Sequence, residues 1–462
     1  MTTMRPDEMV EQALSVASGD GCVVLVEQTH QANLRWAANE LTTNGETRTR
    51  TMTVVALRGR DEDASAGALT RTVADSDDIA RLVADAQRTA AESPREQSAR
   101  PLVGGAAAAD FTEAPADGGV ATFAGLADDL GDVLAGARAD GVLQYGYAEH
   151  VVATTYLGTS SGTRSRQVQP GGHLTITGKD QDLTRSTWTG LATRDFTDVD
   201  VHDLDADLRR RLQWSSRRVD LAPGRYTTVL PPTSVADLAV YAYWEMGGLP
   251  AHEGRSVFSA PGGRTKVGQP IVDPRVSMRS DPRYPGLECS DIVLAAASSP
   301  LSSVFDNGLV SPAASWISGG TLQSLVQTRH SAAVTGLAVT PGVGNLVLEV
   351  DGGAGSVDDL AARLDDGVLV TSLWYIREVD PQTLLLTGLT RDGVFVVRGG
   401  EVVGAAPNFR FNESPIDVLS RIDAAGETVP TFSREWGEWF GRTAMPALTV
   451  EGFHFSTVSD AN

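Results

Sequence analysis

GCVVLVEQTHQANLRWAANELTTNGETRTRTMTVVALR, residues 21–58, holds three strand-like segments, at 21–28, 33–41 and 47–58. The last two flank Thr42-Thr43-Asn44-Gly45-Glu46, and Asn-Gly favours a hairpin turn because both residues tolerate positive φ. The stretch therefore predicts antiparallel pairing near the start of the chain. Residues 7–18 before it read as a helix, with Val10, Ala13, Leu14 and Ala17 on one stripe and Gly19 placed to stop it. After it, Ile79, Leu82, Val83, Ala86 and Ala90 keep helical spacing over 76–92, with Ser76 as the expected N-cap and Pro94 as the stop.

Further outward, residues 93–119 are rich in Ala, Pro, Gly and Asp and read as a surface connection. A third helix is expected at 121–139. Residues 142–195 read as short strands broken at Gly158, Gly162 and Gly171-Gly172, and a basic helix carrying Arg209, Arg210 and Arg211 is expected at 205–217. From 221 the pattern changes to a strand through Tyr226 and Leu230, a helix at about 234–246, and turn-rich β runs such as 368–376, 383–389 and 394–403. The expected class is α+β: an N-terminal α/β region with antiparallel strands and amphipathic helices over 1–220, then a β-rich domain over 221–462. A length of 462 residues suits two or three domains.

Charge narrows the partners. Thirty-eight Lys+Arg against 59 Asp+Glu give a net charge of −21, and lysine occurs only at Lys179 and Lys266. Nucleic acid and anionic membrane surfaces both demand clustered cations, so neither is expected as a partner. Cys22 and Cys289 supply neither a disulfide framework nor a zinc knuckle. The opening MTTMRPDEMVEQALSV is too acidic for a signal peptide, and no run approaches 18 apolar residues, so the expected compartment is the cytoplasm.

Candidate chemistry is sparse. The seven histidines, at 30, 150, 173, 202, 252, 330 and 454, include no i, i+4 pair. His252-Glu253 reads either as an acid–base or metal-binding pair or as solvated loop polarity. Cys289 reads as a nucleophile or as an inert buried thiol. Pro341–Gly353 lacks the Lys-Ser/Thr ending of a phosphate loop and fits a tight turn. Arg434-Glu-Trp436-Gly-Glu-Trp439-Phe440 is either a binding surface or the packing face of one amphipathic turn. Most informative is Tyr241-Ala-Tyr-Trp244-Glu245-Met246-Gly247-Gly248-Leu249, where an apolar helix stops at two glycines. Glu245 lies near its C-terminal end, where the helix dipole disfavours a negative charge.

Several separated stretches together resemble the TldD/TldE (PmbA) family, long labelled modulators of DNA gyrase. They are Ser76–Ile79 through Pro94, Tyr156–Gly162, Phe305-Asp306-Asn307-Gly308 with Ile317–Leu322, Asn408–Ser414, and Pro446–Phe453. The resemblance implies an N-terminal α/β region, a β-rich C-terminal domain and a cytoplasmic peptidase assembled from two related subunits. In the catalytic TldD-type subunit a helix carries H-E-x-x-x-H and a later Cys completes the metal site. Imidazoles and a thiolate hold such an ion, and the glutamate activates its water. Here Glu245 matches the glutamate, Trp244 and Leu249 stand where the histidines would be, and residues 380–462 contain no Cys.

The resemblance thus points to the TldE/PmbA-type subunit, with no catalytic, cofactor-binding or metal-ligating residue of its own. The metal is expected in a TldD-type partner that forms a heterodimer or larger assembly with it. Unfolded or extended peptide is the implied substrate, and a homodimer of the isolated chain is compatible with the same reading. Two other readings stand beside it. One is a free-standing hydrolase with a site rebuilt from Glu245, His252, Glu253 or His330. The other is a peptide-binding protein that captures extended chains by strand addition without peptidase activity.

Overall fold

The computed structural model describes residues 4–73 and 75–459. Strands β1 (Gly21–Ala37) and β2 (Glu40–Arg58) form a long antiparallel hairpin, but its turn is Ala38-Asn39, not Asn44-Gly45. Both turn residues have positive φ, 50° and 67°. Asn39 is the better turn residue because its buried side chain also accepts from the Gln144 N–H (2.6 Å) and donates to the Val142 carbonyl (2.7 Å). Asn44 and Gly45 run inside the ladder opposite Leu34 and Asn33.

Strands β3 (Ser65–Arg71), β4 (Val142–Thr159), β5 (Arg164–Asp180) and β6 (Ser186–Thr193) complete one antiparallel sheet of order β3-β2-β1-β4-β5-β6. Gly171-Gly172 does not break β5. A Cβ at Gly172 would lie 2.5 Å from the Glu149 carbonyl oxygen and 2.9 Å from the Phe196 ring, so the glycine permits close packing within the strand.

Side-chain alternation along β1 assigns its two faces. Val24 and Val26 pack on α1 (Pro6–Val16) and α2 (Ser76–Glu92), through Met9, Val10, Leu82 and Ala86. Further along the same face, Leu34 and Trp36 meet α3 (Ala124–Ala139) and α4 (Val201–Trp214). Val23 and Leu25 point the other way, onto Val304 and Phe305 from the second half of the chain. The N-cap of α2 is Asp75, which accepts from the Asp77 and Asp78 N–H groups, rather than Ser76. Residues 93–119 carry almost no regular structure, yet Ala99 and Phe111 are buried and Phe111 meets Tyr156 edge-on.

The second half builds two sheets around α5 (Pro232–Trp244). One runs Thr321–Leu322, Ala314–Ser318, Val276–Ser280, Leu346–Val350, Thr443–Met445, Val429–Thr431. The other places Asp366–Asp380, β7 (Gly224–Leu230), Leu448–Ser459, Asn408–Glu413 and Leu385–Arg398 side by side, with Glu401–Ala406 paired to the last of these. Pairing of Asp366–Asp380 with Leu385–Arg398 brings that order back on itself. These two strands are longer than the runs expected from their turns. Among the described residues, no helix is long and apolar enough to cross a membrane.

Candidate functional site

Helix α5 is apolar on nearly every side, as a helix enclosed by other elements must be. Its one buried charge is Asp237, fully enclosed. Oδ1 accepts from the Ser433 hydroxyl (2.7 Å) and the Glu435 N–H (2.9 Å), while Oδ2 has no partner. Burial pushes the carboxyl up to about 8. Trp436 Nε1 donates to the Asp237 carbonyl at 2.9 Å, so residues 433–436 strap the helix.

The helix ends at Trp244. Glu245 is its C-cap, with its N–H shared between the Tyr241 and Ala242 carbonyls (3.3 and 3.2 Å). Met246 and Gly248 then pair with Val326 through the backbone, and a short helix, α6 (Gly248–His252), begins anew. Trp244 and Leu249 consequently stand on different helices. Trp244 is packed edge-on against Trp436 (5.2 Å between centroids), within a cluster that includes Tyr241 and Trp439. An indole in an aromatic cluster and an aliphatic side chain beyond the helix break do not fit a metal ion. The Glu245 carboxyl is raised first by burial and then by the neighbouring Glu378. It faces another acid rather than a ligand set.

The other sequence candidates lie apart. Glu253 is exposed and bonded to Arg255 (2.9 Å from Nε). His330 lies beside Arg100 (3.3 Å), and burial and that cation lower its pKa. Among the described residues, no three His, Cys, Asp or Glu side chains converge in a way that could hold a metal ion. Cys289 is part-buried, and burial pushes its thiol up, which disfavours a nucleophilic thiolate.

A feature missed in the sequence is a cleft of about 450 Å³ where the first sheet faces the 428–442 segment. Glu149 on β4 sits directly across from His173 on β5. Glu149 accepts from the Tyr147 hydroxyl at 2.6 Å and from Gln31. The His173 ring stacks on Phe432 at 5.0 Å and 15°, and its pKa is lowered by burial against the opposing pull of Glu149 and Glu438. Trp439 stands at the rim, 70% exposed. This arrangement offers stacking surfaces and carboxylate acceptors for binding, with no activated nucleophile. Tyr147 and Glu149, two apart on a strand, share a face in any reading of the sequence. Their meeting with His173 and Phe432 depends on register and on packing between the two halves.

The profile of the PmbA/TldA metallopeptidase C-terminal domain matches residues 223–457. No curated protein matches the chain by sequence. Among solved structures the chain is similar to TldE from Thermococcus kodakarensis, with a TM-score of 0.74 and 15% identity over 97% of this chain and 99% of that one. It is similar to a protein from Thermotoga maritima described as a modulator of a DNA gyrase, with a TM-score of 0.73, 15% identity and coverage of 97% and 99%. A Bacteroides thetaiotaomicron protein with the same description gives a TM-score of 0.75, 14% identity and 98% coverage of both chains. At such identities the likeness carries the fold.

Proposed function

We propose, from the premise that the chain belongs to the TldD/TldE (PmbA) metallopeptidase family, that it is the non-catalytic subunit of a two-subunit peptidase. The observation that carries this reading is the helix end at Trp244. The position of the family's glutamate is kept as Glu245, while Trp244 and Leu249 offer no ligand and the helix breaks between them. A glutamate without a metal has no activated water to use. The metal and the hydrolytic step then belong to a cytoplasmic TldD-type partner. This chain contributes surface to an assembly that takes unfolded or extended peptides, and the cleft at His173, Phe432 and Trp439 is the surface best suited to them.

Reconstitution tests the proposal. The chain purified alone, after a chelator wash, is expected to hold no stoichiometric zinc or iron and to cleave no unfolded peptide. Mixed with a chain carrying intact H-E-x-x-x-H and a later Cys, it is expected to form a stable complex whose peptide turnover exceeds that of the partner alone. About one transition metal per isolated chain, or turnover by the isolated chain, would revive the rebuilt-site reading and end this one.

A further inference from the structure

A second cleft, of about 320 Å³, lies between the β5–β6 hairpin and the strands around Asp392 and Ala405. Three cations line it: Lys179, Arg185 and Arg218. Lys179 is one of only two lysines in a chain of net charge −21. It sits on β5 directly across from Ser186 on β6. Arg185 is held by Asp180 (3.0 Å from Nε) and by the Leu212 carbonyl (3.3 Å). Arg218 reaches the Thr184 carbonyl (3.3 Å), and backbone hydrogen bonds between Ala405 and its neighbours Arg217 and Val219 fix its place.

Asp392, which lines the cleft, and Asp180, which adjoins it in sequence, are both already engaged. Asp180 is held near pKa 2, burial notwithstanding, by hydrogen bonds from Arg185 and Thr184 and by the Arg185 charge. Asp392 accepts from the Ser186 hydroxyl (2.8 Å) and from Arg434 (2.6 Å). With those two acids neutralised by Arg185 and Arg434, Lys179 and Arg218 remain as two positive charges. Neither has a carboxylate within ion-pair distance among the described residues. Two like charges that line one cleft act jointly on a counter-anion, with solvent screening the part owed to the exposed Arg218 more than that of the part-buried Lys179. A single carboxylate would neutralise only one of the two, whereas a phosphate dianion matches both and can engage the planar guanidinium as well as the ammonium.

We propose that this cleft is an anion site for phosphate or a phosphate monoester, separate from the peptide-facing cleft. The test is titration of the full-length chain with inorganic phosphate and with glycerol 3-phosphate at constant ionic strength, followed by calorimetry and by melting temperature. Saturable binding is expected, weakened about tenfold or more by Lys179→Gln and by Arg218→Gln, and unchanged by Lys266→Gln, which removes the same charge elsewhere. Tighter binding of the ester would assign the source to an esterified ligand and equal binding to free phosphate, and either supports the site. No saturable binding of either probe to the wild type would overturn it, as would affinities in Lys179→Gln and Arg218→Gln equal to that of Lys266→Gln.

Discussion

At the scale of single residues, two carboxyls with raised pKa values do different things. Asp237 holds the strap through Oδ1, and its folded-state pKa of about 8 lies above the ordinary carboxyl value of 3.8. For a carboxyl raised in the folded state, the native protein binds the proton more tightly than the unfolded chain does. Its stability contribution is complete below about pH 4 and is lost as pH rises through about 8. Asp237→Asn keeps the acceptor for Ser433 and Glu435 while removing the ionisation. The wild type should therefore lose about 3–4 kcal/mol between pH 5 and 8 relative to this variant, read from urea unfolding at each pH. Parallel pH profiles for the two proteins would refute that assignment. Glu245 makes no side-chain hydrogen bond among the described residues and faces Glu378. Glu245→Gln should leave melting temperature and the turnover of the reconstituted complex nearly unchanged. A loss of about 10²-fold in turnover at unchanged stability would mean that the carboxylate does chemistry.

At the scale of elements, the strap 432–440 joins the two halves of the chain. Arg434, nine-tenths enclosed, lies over the Trp188 ring of β6 (4.5 Å) and near Trp374 (5.3 Å), and it pairs with Asp392 and Ser372. Arg434→Ala removes the closer of the two cations on the buried Asp392 carboxylate, leaving Arg391 at 3.8 Å and the Ser186 hydroxyl, and should cost about 2–4 kcal/mol in equilibrium unfolding. A loss below about 1 kcal/mol would show that the pin is solvent-screened and structurally idle. Arg434-Glu-Trp436 was legible as an aromatic turn, but which side it served was not, because its partners Asp237, Trp188 and Asp392 lie more than 40 residues away. The same limit governs the rest. Helical stripes such as Ile79–Ala90 were readable because their signal is local, and α2 runs over the expected 76–92. The hairpin turn was misplaced because Asn-Gly is a local preference. The contacts of Asn39 with Val142 and Gln144, which favour the other site, cross about a hundred residues. The helix end at Trp244 was legible from Gly247-Gly248, whereas the His173 cleft was hidden in strand register.

At the scale of the whole molecule, we propose that the chain divides into two units near 220/221. The first sheet and its four helices draw their core from residues before that point, and the two later sheets share a core drawn from residues after it. The units are also stitched together. Val304 and Phe305 pack on the back of the first sheet, Arg442 donates to the Pro170 carbonyl (3.0 Å), and Arg434 bridges to Trp188. Stitching of this kind suppresses hinge motion, so proteases should find the least-protected chain within a unit before they find the junction. That chain is the 93–119 segment. Its residues 104–109 are exposed, and its backbone is tied to the sheet by only two hydrogen bonds to Arg164 there, although Ala99 and Phe111 anchor it on either side. Limited proteolysis with a low-specificity enzyme should cut first in 93–119, and the two fragments should stay associated in native size-exclusion chromatography because both remain packed on the same sheet. Early cleavage spread through 225–400 would count against a compact second unit. Immediate separation of the fragments would count against the anchoring role of Ala99 and Phe111.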